Sequence, residues 1–303
     1  MSAWWIAVAR LAALVLCAGL ATSRIGLVVH ELVGHGGAAI AVGGEVTQVH
    51  LFYFAGGWIR FHITDGQLLV ALGGIIVETV AGAVLWIAAR RDTLGARIVR
   101  AIGCTLVIHA TWYLSTGTWH GYGDGIELHR MLGDAKWLVA IPAAVVTLGA
   151  SYVGARTVIR ALAATLPRAR VIGTLLALVV AGGVQLGAAL GEVALRRDAA
   201  YGAVMKPERE RVIASELARW EQQQARPPSE AERAAAEREL AARHQTFPFA
   251  IVLAILTILA IVAGAVRARP APTGEVANRL LVRAAAVAAG SIALVIALDA
   301  AFH

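Results

Sequence analysis

Charge is scarce in this chain. Only 16 % of its 303 residues are Asp, Glu, Lys or Arg, against 58 % hydrophobic, whereas a soluble domain carries about a quarter of its residues charged. That shortage excludes an ordinary cytosolic enzyme and points to a polytopic membrane protein. Cysteine is nearly absent too. Cys17 and Cys104 each lie inside an apolar run, which leaves no disulfide framework and no thiolate metal site, and reads as two small buried hydrophobes. A small-residue cleavage site followed by a polar chain is missing after the first apolar run, so the N-terminus is expected to be a retained membrane segment. The net charge of +7 comes without a basic stripe, since most basic residues sit in short clusters between apolar runs. Such clusters mark membrane loops and speak against a nucleic-acid partner. No internal repeat is evident.

What is present is a stack of apolar runs near the roughly 20 residues that a helix needs to cross a bilayer. They are Trp4 to Ala21, Ile25 to Val42, Leu68 to Ala89, Ile98 to Thr118, Trp137 to Ala155, Val171 to Leu195, Phe249 to Val266 and Leu280 to Ala301. Only Thr22, Ser23 and Arg24 separate the first two, which leaves seven or eight crossings open. Two stretches break the pattern. Between Gly43 and Ile63, β-branched and aromatic residues alternate around Gly56 and Gly57, which predicts a small β-hairpin at or in the membrane surface. Arg196 to Gln245 holds 19 of the 47 charged residues, ten basic and nine acidic, with a break at Pro227 and Pro228. Ser229 with Glu232 forms a capping box there, so a water-exposed helical hairpin is expected, with Ile213, Leu217 and Trp220 on one face.

The expected fold is therefore an α-helical polytopic bundle of seven to eight spans with a membrane-associated β-hairpin and an extramembrane helical hairpin. Its parts would be a core over 1–160 with the β-hairpin near 44–63, a further span over 161–195, the extramembrane hairpin over 196–247 and two last spans over 248–303. Counting crossings puts three arginine-rich loops on one face: Arg90, Arg91, Arg97 and Arg100; Arg156, Arg160, Arg168 and Arg170; and Arg267, Arg269, Arg279 and Arg283. By the positive-inside rule that face is cytoplasmic. The expected setting is a multi-pass protein of a bacterial inner membrane, in contact with the lipid bilayer. Trp4, Trp5, Trp58, Trp112, Trp119 and Trp137 fit interfacial anchoring, and His50, His62 and His129 are expected to be solvated.

The chemistry concentrates in the run VVHELVGHGGAA, which carries His30, Glu31 and His35. Ionisable groups at membrane depth cost about 2.5 to 3.5 kcal/mol each, and a divalent metal is the natural compensation. In the zincin motif two imidazoles at i and i+4 share a helical face, and the Glu beside the first activates water. Here the spacing is i to i+5, which turns the second imidazole about 140° from the first on a regular α-helix. A π-bulge absorbs one extra residue, and Gly34, Gly36 and Gly37 make that distortion cheap. The spacing resembles that of the dipeptidyl-peptidase III family, whose two histidines bind zinc. A third ligand has its strongest candidate in Asp124, in HGYGDGIELHRML: two crossings separate it from the hairpin, so it returns to the same face. Glu78 and His109 fall in adjacent spans, where they can pair, support the metal ligands or line a water path.

Together these residues resemble the site-2 proteases, intramembrane zinc metalloproteases. The similarity runs from about Ile25 to Leu132 and rests on four features: HELVGHGGAA, the Gly-rich hairpin after it, the small-residue start of ALGGIIVETVAG, and an Asp-Gly near the membrane end of a later span. The resemblance implies Zn2+ held by His30, His35 and Asp124, Glu31 as general base, and a transmembrane protein or peptide as substrate. The family's Asn and Pro ahead of the Asp-Gly are replaced by Trp119 to Gly123. His120 or Tyr122 is therefore the expected oxyanion stabiliser, and the hairpin edge from Val46 to Phe54 the expected docking strand for substrate. Two other classes stay open: a divalent-metal transporter, and a catalytically silent relative that binds a membrane partner.

Overall fold

The structure is a computed structural model that describes residues 2–90, 93–166, 169–224, 226–268, 276 and 278–302. Arg91, Arg168 and Arg269 lie outside the described residues. Helix α1 (Ser2–Val28) runs without a break into a π-helical segment, Val29–Gly36, and on into α2 (Gly37–Ala41). The first two apolar runs are thus one continuous helix, and among the described residues seven helices are long and apolar enough to cross a membrane. Strands β1 (Glu45–Leu51) and β2 (Gly57–His62) follow, then α3 (Gln67–Ala88), α4 (Leu94–His120), the short α5 (Ile126–Leu132), α6 (Trp137–Leu162) and α7 (Arg170–Arg196). Helices α8 (Ala199–Met205), α9 (Glu208–Gln222) and α10 (Glu230–Arg243) precede α11 (Phe249–Val266) and α12 (Asn278–Phe302). This is an integral multi-pass architecture whose outer faces suit a lipid bilayer: large side chains such as Val179, Leu190 and Ile258 point outward.

Leu11, Leu14, Leu162 and Leu166 form an apolar core where α1 meets α6 and α7, and small and polar residues add to it at other seams, as is common between helices in lipid. Helix α4 packs between α3 and α6, α6 against α11, and α1 against α7 and α12. The hydroxyls of Thr111 and Thr147 meet at 2.8 Å, and Ser115 donates to the Ala140 carbonyl at 2.7 Å. Where α3 meets the π segment, the backbones touch: a Cβ on Gly34 would fall on the Gly74 main chain and lie 2.8 Å from the Gly73 carbonyl carbon.

The β-hairpin pairs antiparallel from Glu45↔His62 to Leu51↔Gly57, with a bulge between Val46 and Gln48. Its turn differs from the Gly56–Gly57 pair read from the sequence. Gly57 belongs to β2, and the connection is the five-residue loop Phe52–Gly56, closed by the Phe52 amide donating to the Gly56 carbonyl at 3.0 Å. The cause is long-range. Buried Arg24 donates to the carbonyls of Phe52 (2.5 Å), Phe54 (3.2 Å) and Ala55 (2.6 Å), while Glu192 of α7 accepts from the amides of Tyr53 (2.7 Å), Phe54 (2.6 Å) and Ala55 (3.1 Å). Two side chains thus do for this loop what a tight turn does for itself, pairing three of its carbonyls and three of its amides.

Two histidines expected in solvent are engaged instead. His50 lies 3.3 Å from both Asp198 and Asp299: β1 packs on Val295 of α12, which brings Asp299, and the cap of α8 brings Asp198. His129 donates to the Thr118 carbonyl at 2.9 Å, whereas His62 is exposed. The charged stretch after α7 contains three helices, not two. The added one, α8, starts on an Asp198 cap and docks on the hairpin: Trp58 donates to Asp198 at 2.9 Å, and Tyr201 packs on Phe52 with ring centres 4.9 Å apart. Burial works against the Asp198 carboxylate, but the bonds from Trp58 and from the amides of Tyr201 and Ala200 outweigh it and hold its carboxyl below the usual range. Helix α10 begins with the capping box of Ser229 and Glu232, and Ile213 and Leu217 are the buried face of α9.

Gly34→Ala should cost about 1 to 3 kcal/mol by overpacking against α3. Gly37→Ala, on the same helix with nothing within 4 Å of the new methyl group, should be neutral or stabilising. Unfolding of both variants in detergent, followed by circular dichroism, checks the pair.

Candidate metal centre

The extra residue between His30 and His35 is taken up by the π segment in which both stand. Hydrogen bonds in a π-helix span five residues rather than four, so side chains five apart fall on one face. Both imidazoles are buried there with their Nε2 atoms 3.2 Å apart. Asp124 enters from a short 3-10 turn, Gly123–Gly125, between α4 and α5. Its Oδ2 lies 3.0 Å from Nε2 of His30 and its Oδ1 3.3 Å from Nε2 of His35. Among the described residues, His30, His35 and Asp124 form a group whose ligand atoms all lie within 4.8 Å of one another.

The outer nitrogens decide what this cluster can do. Nδ1 of His35 donates to the Val70 carbonyl at 2.6 Å, and that oxygen can only accept. Nδ1 of His30 lies 3.1 Å from the carboxylate of Glu78, which also receives Nδ1 of His109 at 2.9 Å. With Nδ1 donating on both rings, a neutral imidazole turns its Nε2 lone pair inward. Two such lone pairs and a carboxylate then converge on one point, an arrangement that repels itself until a cation or added protons fill it. Imidazoles held at Nδ1 by a carboxylate and a backbone carbonyl are the usual outer support of metal ligands. The cluster can therefore hold a metal ion.

No protein-family model, no curated protein and no solved structure matches this chain.

Glycines shape the cavity. A Cβ on Gly74 would sit 2.6 Å from Nε2 of His30, so α3 leaves room for the ring only because it has none. Gly123 takes φ +52°, and a Cβ there would collide with the Tyr113 hydroxyl. Glu31 is buried beside His30 and interacts electrostatically with both imidazoles and with Asp124.

His120 and Tyr122, expected to face a reacting oxygen, are turned to other tasks. Nε2 of His120 accepts from the Ala250 amide of α11 at 3.3 Å, and the Tyr122 hydroxyl donates to Thr116 at 2.5 Å. Burial raises the pKa of that phenol, with the Thr116 bond opposing. The aromatic residue that approaches the cluster is Tyr113, with its ring centre 6.3 Å from that of His30. Its signal was present in the sequence: Tyr113 stands one helical turn after His109, and the two rings stack at 6.2 Å on the face of α4 that meets the site. The Val46–Phe54 edge is also only partly free. The Leu51 amide donates to Asp299 at 2.8 Å and those of Tyr53 and Phe54 to Glu192.

Replacing Glu78 by Gln removes a charge from the outer support while keeping its shape, and should weaken metal affinity about 10- to 100-fold. Titration of the purified protein with a competing chelator measures it.

Proposed function

We propose that this protein is an intramembrane metallopeptidase of the site-2 protease type, with Zn2+ held by His30, His35 and Asp124. The observation that carries the reading is the inward convergence of two Nε2 lone pairs on one carboxylate. Two imidazoles and a carboxylate favour zinc among the divalent ions. Bound there, the ion supplies Lewis acidity at an open position, which activates water and polarises a carbonyl.

The chain's own residues account for the rest. Val70 and Glu78 lock the imidazoles in the tautomer that turns Nε2 inward. Glu31, buried and next to the first ligand, takes the proton of the attacking water and later passes it to the leaving amine. The part of β1 from Val46 to Gln48 is the stretch of edge left for strand addition by an unwound segment of a transmembrane substrate. In a bacterial inner membrane the arginine-rich loops would face the cytoplasm and the cluster would lie toward the opposite side.

One observation favours a second reading, a divalent-metal transporter. The His109 side chain is 64 % exposed and leads through Glu78 to His30, an acid–imidazole path from the surface to the cluster. Metal uptake into liposomes containing the protein would support it.

Detergent-purified native protein should carry about one zinc per chain, lost in His35→Ala and in Asp124→Ala. Glu31→Gln should keep the metal and lose cleavage of transmembrane substrates. Metal content indifferent to both ligand changes would overturn the proposal.

A further inference from the structure

The peptidase reading lacks one part: a donor for the negative charge that develops on the carbonyl oxygen. The geometry points to Tyr113 as a catalytic residue that stabilises this oxyanion through its hydroxyl. The inference rests on the peptidase reading and assigns it a residue.

Its warrant is the surroundings of the phenol. Tyr113 projects from α4 toward the turn that carries Asp124, and Gly123 in that turn lacks the side chain whose first carbon would strike the hydroxyl. The turn is thus built around that oxygen. Its ring stacks on His109 and approaches the His30 ring edge-on at an interplanar angle of 61°, which fixes its direction. The phenol interacts electrostatically with both Asp124 and Glu31, the third ligand and the proposed base.

The acceptor it has here is a weak one. The hydroxyl donates to Sδ of Met205, the last residue of α8, at 3.7 Å. A thioether accepts hydrogen bonds poorly, so an oxygen anion displaces it readily. Tyr122, whose hydroxyl is committed to Thr116, cannot offer the same donor without breaking a strong bond.

In the reaction, water adds to the carbonyl carbon as its proton goes to Glu31. The new C–O bond forms, and the π electrons move to the carbonyl oxygen, which takes a hydrogen bond from Tyr113 without receiving its proton. When the C–N bond breaks, the oxygen's pair re-forms the carbonyl and the amine nitrogen takes the proton from Glu31. No net oxidation or reduction occurs, and Tyr113 ends as it began.

The test uses the full chain in detergent and a quenched-fluorescent single-span peptide with a helix-breaking Gly-Pro midsection. Tyr113→Phe should lower kcat about 100-fold or more, with KM and zinc content unchanged, while Tyr122→Phe keeps kcat near the native value. Native protein that cleaves the peptide alongside a Tyr113→Phe variant of undiminished kcat would overturn this inference and leave the peptidase reading intact. Loss of zinc in Tyr113→Phe would also overturn it, by making the tyrosine part of the ligand scaffold. Native protein that neither holds zinc nor cleaves would overturn the peptidase reading itself, and this inference with it.

Discussion

Close approach of two backbones governs the rest of the structure. The π segment and α3 touch at Gly34, Gly73 and Gly74, closer than any side chain would permit. That contact puts the Val70 carbonyl against His35 and the Glu78 carboxylate against His30. Within a membrane, small residues commonly serve this purpose, since van der Waals contact between helices replaces the hydrophobic drive that lipid abolishes. Here the same contact also sets which nitrogen of each imidazole faces inward, so packing and chemistry share one cause.

A second constraint acts on the hairpin. Its loop stands where main-chain groups cannot be left to water, and Arg24 and Glu192 divide the work by charge, the cation on the carbonyls and the anion on the amides. The pair comes from α1 and α7, so the loop ties distant spans together. Arg196, one turn beyond Glu192, extends this system: it bridges to Glu192 at 2.9 Å and to Asp299 at 3.4 Å and stacks over Tyr53. The extramembrane helices hold on to this assembly through Trp58 and Asp198, and Met205 of α8 accepts from Tyr113, whose ring lies beside that of His30.

Much of this was legible from residues alone. The i to i+5 spacing of His30 and His35 calls for a π distortion, and the helix has one. Counting crossings brought Asp124 to the histidines' side, and the two ligand sources do meet. The rotation of α4 was legible only in part. Tyr113 stands one turn after His109, but the helix is apolar or small over much of its surface, so periodicity does not mark an inner face, and the expectation fell on His120 and Tyr122, which bond instead to Ala250 and Thr116. The hairpin turn was misplaced for a related reason: the loop is Phe52–Gly56, and the groups that shape it, Arg24 and Glu192, come from remote parts of the chain.

The sequence by itself determined where the apolar runs lie, with seven or eight crossings left open, and also the hairpin, the capped extramembrane helix and the three residues that can hold a metal. These follow from local hydropathy, from turn and cap chemistry, and from the rule that buried ionisable groups need partners. Tertiary structure alone decided that the first two runs are one helix, that α8 docks on the hairpin, and that the outer nitrogen of His35 meets a backbone carbonyl. A carbonyl is carried by every residue and leaves no mark in residue types. Which one meets a histidine depends on how closely two helices approach and how each is turned about its axis.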